Sequence, residues 1–115
     1  ERSPAVAPVS YGGLASHAQA ARAALYPRGL GALFTFRLKE GYEKCVSVIG
    51  KLNLISHVAN LGDSRTLMIH SASTTHRQLT AEQQEAAGAG PDVLRISVGL
   101  ETAEDIIADL EQALA

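Results

Sequence analysis

Hydrophobic and polar residues alternate along two stretches of the chain, and this period of two predicts β-strands over residues 32–38 and 93–98. The first stretch separates its Phe and Leu side chains from a Thr and an Arg. The second stretch buries its apolar residues on one face and points Arg95 and Ser97 the other way. We therefore expect the apolar faces of both strands to contribute to the core.

Two shorter apolar stretches, 54–59 and 66–70, predict two further strands. They flank residues 60–64, where Asn, Gly and Asp favour a turn. The sequence thus predicts that these two strands are connected through a polar turn.

Four helices are predicted from start signals and from helical periodicity. Three begin with Ser or Thr followed three residues later by Gln or Asp, a pattern in which the two side chains cap the first amides. The fourth has apolar residues at i, i+3, i+4 and i+7, namely Tyr42, Cys45, Val46 and Ile49. The predicted helices run from Ser16 to Leu25, from about Gly41 to Lys51, from Thr80 to Gly88, and from Thr102 to the C-terminus.

The order of elements from residue 32 onward is strand, helix, strand, strand, helix, strand and helix. This order predicts an α+β fold with a ferredoxin-like, split βαβ arrangement: a mainly antiparallel sheet with helices on one face, plus an N-terminal and a C-terminal helix. Residues 1–13 contain Pro4 and Pro8 and are predicted to form an extended lead-in. We expect residues 1–115 to form a single domain, cut from a longer chain because it begins with Glu1.

Composition narrows the possible functions. With 115 residues, 46% hydrophobic and 19% charged, the chain can bury a core and is not of the disordered class. A net charge of −2 argues against a strongly basic nucleic-acid-binding domain. The lone Cys45 and the lack of a signal-peptide pattern favour a reducing, cytoplasmic setting, and no apolar run is long enough for a membrane span.

Few side chains offer chemistry of their own. The four His residues show no i, i+4 pairing, and Cys45 stands alone, so no metal site is predicted. Arg95 is the strongest candidate, because a guanidinium donates two parallel hydrogen bonds to a carboxylate and never loses its charge. A salt bridge to Asp92, to Glu101 or to another nearby acid is the alternative role for this arginine.

Three segments, 57–63, 66–79 and 94–101, closely resemble the C-terminal domain of the pyridoxal-phosphate-dependent enzymes of cysteine and methionine metabolism. The resemblance extends over nearly the whole chain, from the lead-in at Val9 to the closing helix. Within the family these residues are most similar to the O-acetylhomoserine sulfhydrylase branch. The implied fold is the small C-terminal domain of a fold-type I pyridoxal-phosphate enzyme.

The resemblance implies a set of substrate-binding residues. The arginine of the family motif Arg-x-Ser-x-Gly-x-Glu, here Arg95, pairs with the α-carboxylate of the amino-acid substrate. A residue that is often Ser in the family and contacts the same carboxylate is here Asn60, as is typical of the sulfhydrylase branch. Thr75 and Ser97 are implied as supporting residues. The family's His-Pro-Ala-Ser run is present with Ser71 in place of the proline.

The resemblance also implies what the chain lacks. The family binds pyridoxal phosphate through a lysine that follows a Ser-x-Thr type of sequence, and none of Lys39, Lys44 and Lys51 does so. We therefore expect no catalytic, cofactor-binding or metal-binding residue in this chain and no activity of the chain alone. The cofactor, and the residues that bind it, are expected in the enzyme's own N-terminal domain.

The implied activity of the intact enzyme is the conversion of O-acetylhomoserine and sulfide to homocysteine and acetate in methionine biosynthesis. The implied assembly is a homotetramer, with no nucleic-acid or membrane partner. A sibling activity, that of a cystathionine or methionine γ-lyase or synthase, is an alternative with the same carboxylate anchor. A stand-alone ligand-sensing or oligomerisation module is the alternative from another class.

Overall fold

The computed structural model describes all 115 residues and contains one five-stranded sheet with strand order β1-β2-β5-β4-β3. Three of the four strand pairings are antiparallel, and only β3 and β4 run parallel. The α+β class and the mainly antiparallel sheet are therefore confirmed. The strands are β1 (Val6–Ser10), β2 (Leu33–Leu38), β3 (Ser56–His57), β4 (Leu67–Ile69) and β5 (Val93–Ser97), and the α-helices are α1 (Gly41–Lys51), α2 (Ala81–Ala86) and α3 (Ala103–Leu114).

The two alternating stretches form the centre of the sheet, as predicted. Strands β2 and β5 pair antiparallel, with Phe36 opposite Leu94 and Thr35 opposite Arg95. Phe36, Leu94 and Ile96 are buried in the core on one face. Because side chains alternate along a strand, Arg95 lies on the opposite face.

Helices α1 and α3 cover the core face of the sheet. Cys45 and Val48 of α1 and Ile106 and Ala113 of α3 are buried there together. The predicted apolar stripe of α1 is partly wrong, since Tyr42 and Val46 are exposed and Val48 is buried instead. Burial raises the pKa of the Cys45 thiol to about 12, so this residue acts as a small core side chain.

The ferredoxin-like arrangement is not confirmed. In that arrangement the two short strands would form an antiparallel hairpin, but here β3 and β4 are parallel. Residues 58–66 therefore do not form a tight turn. They form a crossover connection that runs from the end of β3 back to the end of the sheet at which β3 begins, where β4 starts. The helices also do not all lie on one face of the sheet. Side chains alternate along β2, so Arg37 points away from the core, and it binds Glu85 of α2 on that side.

The N-terminal region differs most from its prediction. The extended lead-in contains edge strand β1, which pairs with β2 and is interrupted by a bulge between Val6 and Val9. The predicted helix from Ser16 is wrong: only a 3₁₀ helix, Ala20–Leu25, forms there and it buries no residue. Alanine favours a helix, but no residue of this segment is buried, so packing adds nothing to that propensity.

Hydrogen bonds at the helix ends fix the remaining connections. The predicted capping box at Thr80 is confirmed, with reciprocal bonds between Thr80 and Gln83. In α3 the Thr102 hydroxyl donates to Asp105 instead of capping an amide. No helix in the structure combines the length and the apolar character that a bilayer crossing needs.

One carboxylate anchors α3 to the sheet. The buried side chain of Asp109 accepts hydrogen bonds from the backbone amides of Asn53, Leu54 and Ile55 at 2.8 to 2.9 Å. Burial acts to raise the pKa of this carboxyl group, but the three amides outweigh that effect and lower it. The closing helix is thereby connected to the segment that leads into β3.

Candidate functional site

Arg95 occupies the middle of β5 on the face turned away from the core. In the sheet register it stands between Thr35 of β2 and Ile69 of β4. Its Nη2 atom donates a hydrogen bond to the backbone carbonyl oxygen of Asn60 at 3.2 Å. The side chain is half-buried, so the sheet holds its stem while the guanidinium remains accessible.

The guanidinium of Arg95 has no carboxylate partner within the chain. Both acids considered for a salt bridge are engaged elsewhere: Asp92 binds Arg37 at 2.8 Å, and Glu101 binds Thr66 at 2.7 Å. None of the four salt bridges of the structure includes Arg95. Arg95 therefore forms no salt bridge within residues 1–115, and most of its five N–H donors have no acceptor in the chain.

Asn60 reaches the site through its backbone. Its side-chain Oδ1 accepts a hydrogen bond from the Leu61 amide at 2.9 Å, while its carbonyl oxygen accepts from Arg95. Ser97 is buried, and its Oγ accepts a hydrogen bond from the Gly62 amide at 3.1 Å. The structure thus brings Arg95, Asn60 and Ser97 together, with Ser97 holding the segment that carries Asn60.

The end of β5 holds the other part of the same segment. Leu100 donates its amide proton to the carbonyl oxygen of Ser64 at 2.8 Å. A Cβ at Gly99 would lie 2.4 Å from backbone atoms of Arg65 and Ser64, so only glycine permits this approach. Residues 60–66, which we call the crossover segment, are therefore contacted by Ser97, Gly99, Leu100 and Glu101.

Thr75 is not part of this group. It is exposed, and its Oγ1 pairs with His76 Nδ1 at 2.9 Å rather than with Arg95, Asn60 or Ser97. The run that contains it begins with a 3₁₀ helix over Ser71–Ser73, and Ser71, at the family's proline position, is buried. The backbone oxygen of Ser71 accepts hydrogen bonds from the amides of Thr74 and His76.

The His residues and the lysines do not form a further centre. His70 is buried and satisfied by Ser73 and by the Pro91 carbonyl, each at 2.9 Å. No group of three or more His, Cys, Asp or Glu side chains lies close enough to share a metal ion. Lys44 and Lys51 lie on α1, across the sheet from Arg95, and Lys39 lies beyond the end of β2. These residues do not fit a pyridoxal-phosphate site.

A separate apolar groove lies away from Arg95. It has a volume of about 790 Å³ and lies between the β1 edge of the sheet and α3, lined mainly by hydrophobic side chains such as Phe34, Val98 and Leu110. Arg95 does not line it. The groove's polar lining residues are Glu1, Arg2, Ser3 and Glu111.

Comparison with known proteins agrees with the resemblance of the motifs. All of residues 1–115 match the profile of the family described as Cys/Met metabolism PLP-dependent enzyme. The chain is 54% identical to O-acetyl-L-homoserine sulfhydrylase 1 of Thermus thermophilus over 97% of its own length and 27% of that protein. It is 44% identical to an L-methionine gamma-lyase of Fusobacterium nucleatum over 96% of its length and 28% of that protein.

A solved structure shows the same fold. The crystal structure of a protein named as an O-acetylhomoserine (thiol)-lyase of Campylobacter jejuni, which contains a pyridoxyl-lysine, matches with a TM-score of 0.84 and 39% identity. The match covers 98% of this chain and 27% of that one. The chain thus spans about a quarter of the length of the curated relatives that it matches.

Proposed function

The chain belongs to the family of pyridoxal-phosphate-dependent enzymes of cysteine and methionine metabolism, and we propose that residues 1–115 are the C-terminal, substrate-carboxylate-binding domain of an O-acetylhomoserine sulfhydrylase. The identity of 54% to a sulfhydrylase from Thermus thermophilus supports this branch of the family. The observation that carries the proposal is the guanidinium of Arg95, which has no acid partner in the chain.

Arg95 binds the α-carboxylate of the amino-acid substrate in this proposal. The planar guanidinium donates two parallel hydrogen bonds, which match the two oxygens of a carboxylate in both spacing and charge. The Asn60 carbonyl oxygen accepts one further N–H and limits the rotation of the group. Fixing the carboxylate in this way orients the Cα–H bond of the substrate, so the contribution of the chain is positioning.

The reacting groups belong to the rest of the enzyme. Pyridoxal phosphate, when bound there, withdraws electrons from the substrate. The overall reaction converts O-acetylhomoserine and sulfide to homocysteine and acetate. The chain alone is therefore expected to be inactive, and Asn60 and Ser97 support Arg95 without touching the reacting bonds.

A sibling γ-lyase activity is the second candidate. The identity of 44% to an L-methionine gamma-lyase supports it, because such an enzyme also binds an amino-acid carboxylate. Assay of the cofactor-loaded enzyme with O-acetylhomoserine plus sulfide, and with methionine alone, distinguishes the two activities by their products.

Replacement of Arg95 tests the proposed role directly. In the cofactor-loaded full-length enzyme, we expect Arg95→Ala to lower kcat/KM by about 30- to 1,000-fold, equivalent to roughly 2 to 4 kcal/mol, because a charge-assisted bidentate contact is lost. Arg95→Lys should recover only part, since an ammonium is a point charge. Steady-state kinetics with O-acetylhomoserine measures both variants, and the absorbance of bound cofactor shows that each is fully loaded.

Arg37→Ala is the matched control, because Arg37 lies on the same face but is bound to two acids of the chain. Its kcat/KM should remain within about threefold of wild type, under roughly 0.7 kcal/mol. If Arg95→Ala also remained within that limit, the assignment of the carboxylate anchor would be wrong.

A further inference from the structure

Glu101 makes an unusually specific contact with the crossover segment. Its two carboxylate oxygens accept separate hydrogen bonds from Thr66, one from the backbone amide and one from the hydroxyl, each at 2.7 Å. Thr66 is fully buried, and its hydroxyl oxygen also accepts a hydrogen bond from the Gly99 amide at 2.9 Å. The amide and the hydroxyl of Thr66 are thus both engaged by residues that follow β5.

The crossover segment connects the Glu101 contact to Arg95. Glu101 holds one end of the segment at Thr66, Ser97 holds the Gly62 amide, and the other end presents the Asn60 carbonyl oxygen to the guanidinium. No direct contact joins Glu101 to Arg95. Any influence of Glu101 on the guanidinium therefore runs through the backbone between Thr66 and Asn60.

We propose that Glu101 is a positioning residue: by binding Thr66 it fixes the crossover segment so that the Asn60 carbonyl holds the guanidinium of Arg95 in the direction required for a carboxylate. This inference rests on the proposed role of Arg95. An arginine side chain has several rotatable bonds, and a group that limits their rotation before binding reduces the entropy lost when the substrate arrives.

A second glutamate supplies the control. Glu85 also makes two hydrogen bonds to one residue, Arg37, but it has no contact with the crossover segment. A general loss of surface carboxylates or of packing would affect Glu85→Ala and Glu101→Ala alike. A positioning effect on Arg95 is specific to Glu101.

A double-mutant cycle in the cofactor-loaded full-length enzyme tests the inference. With Arg95 present, we expect Glu101→Ala to lower kcat/KM for O-acetylhomoserine about tenfold, mainly through a higher KM, while Glu85→Ala changes it less than twofold. Glu101→Gln should recover most of the loss, because its amide can still accept from the Thr66 amide and donate to the hydroxyl. In an Arg95→Ala background, Glu101→Ala should change kcat/KM less than twofold.

The outcomes separate this inference from the proposed function. Equal losses from Glu101→Ala in both backgrounds, or no loss with Arg95 present, would overturn the positioning role while leaving Arg95 as the anchor. No loss from Arg95→Ala alone would overturn the proposed function and this inference with it. If Glu101→Ala does not fold, Thr66→Val removes the hydroxyl at nearly constant shape and must show the same dependence on Arg95.

Discussion

Two arginines point from neighbouring strands to the same face of the sheet, yet they have opposite surroundings. Arg37 of β2 binds Glu85 at 2.7 Å and Asp92 at 2.8 Å, and the hydrogen bond to Glu85 raises its pKa further above the usual value. Arg95 of β5 contacts only a backbone carbonyl oxygen. Both side chains lie on the same face of the sheet. The difference between them comes from the hydrogen-bond partners that the adjoining segments supply.

In the proposed function, that difference separates a structural arginine from a ligand-binding one. Helix α2 and the residue before β5 supply Arg37 with two negative charges, so its charge is neutralised within the chain. The crossover segment supplies Arg95 with a neutral acceptor, which orients the guanidinium without neutralising it. In the proposed function, the substrate carboxylate supplies the negative charge that the chain itself does not place beside Arg95.

Gly99→Ala should disturb the surroundings of Arg95 but not those of Arg37. Among the variants, we expect it to lower the free energy of unfolding most. The new methyl group would lie 2.4 Å from the Ser64 oxygen, so the crossover segment must move, at a cost of about 2 kcal/mol in the free energy of unfolding. Urea denaturation measures this loss. Gly50→Ala on α1, where nothing lies within 4 Å of the new Cβ, is the control and should be neutral or slightly stabilising. A stable Gly99→Ala protein would contradict the close approach.

Arg37→Ala should have the reverse profile to Arg95→Ala. Its two ion pairs are partly exposed, so we expect a loss of only about 1 kcal/mol in the free energy of unfolding, whereas Arg95→Ala should change it by less than about 0.5 kcal/mol. Chemical denaturation of the two variants side by side gives both values. A larger loss for Arg95→Ala than for Arg37→Ala would reverse the assignment of the two roles.

The pH dependence of stability should also distinguish the two arginines, and this is the smallest of the expected effects. The hydrogen bond from Arg37 lowers the pKa of Glu85 from its usual 4.5, so the folded state binds this proton less readily than the unfolded state. The contribution is present above pH 4.5 and is lost as the pH falls through the lowered pKa. In denaturation curves between pH 3 and 6, wild type and Arg37→Ala should converge at the acid end, whereas wild type and Arg95→Ala should stay a constant distance apart.

The alternating strands could be predicted from sequence because one local pattern decides which face each side chain takes. The orientation of Arg95 away from the core follows from that pattern alone. The parallel pairing of β3 and β4 does not, since strands of two and three residues contain no local signal of their direction. The failed helix after Ser16 shows the same limit, because helix propensity is present there but no residue of Ala20–Leu25 is buried against the rest of the chain.

For the candidate site, the sequence predicts Arg95 but not the contact of Glu101 with Thr66. Asn60 was expected from the resemblance, but it contacts Arg95 through a backbone oxygen that any residue type could supply. Glu101 was considered only as a salt-bridge partner of Arg95, and its contact with Thr66 depends on a crossover path that sequence does not reveal. A usable signal existed, since the period of two that begins at Arg95 continues through Ser97 and Gly99 to Glu101.

The bulge in β1 has a consequence for aggregation. Strand β1 forms one edge of the sheet, and an edge with a full row of free amides can recruit a strand from another molecule. Pro8 lacks an amide proton, and the irregular register between Val6 and Val9 breaks the row further. The opposite edge, β3, is only two residues long. Both borders of the sheet are thus poor templates for intermolecular strand addition.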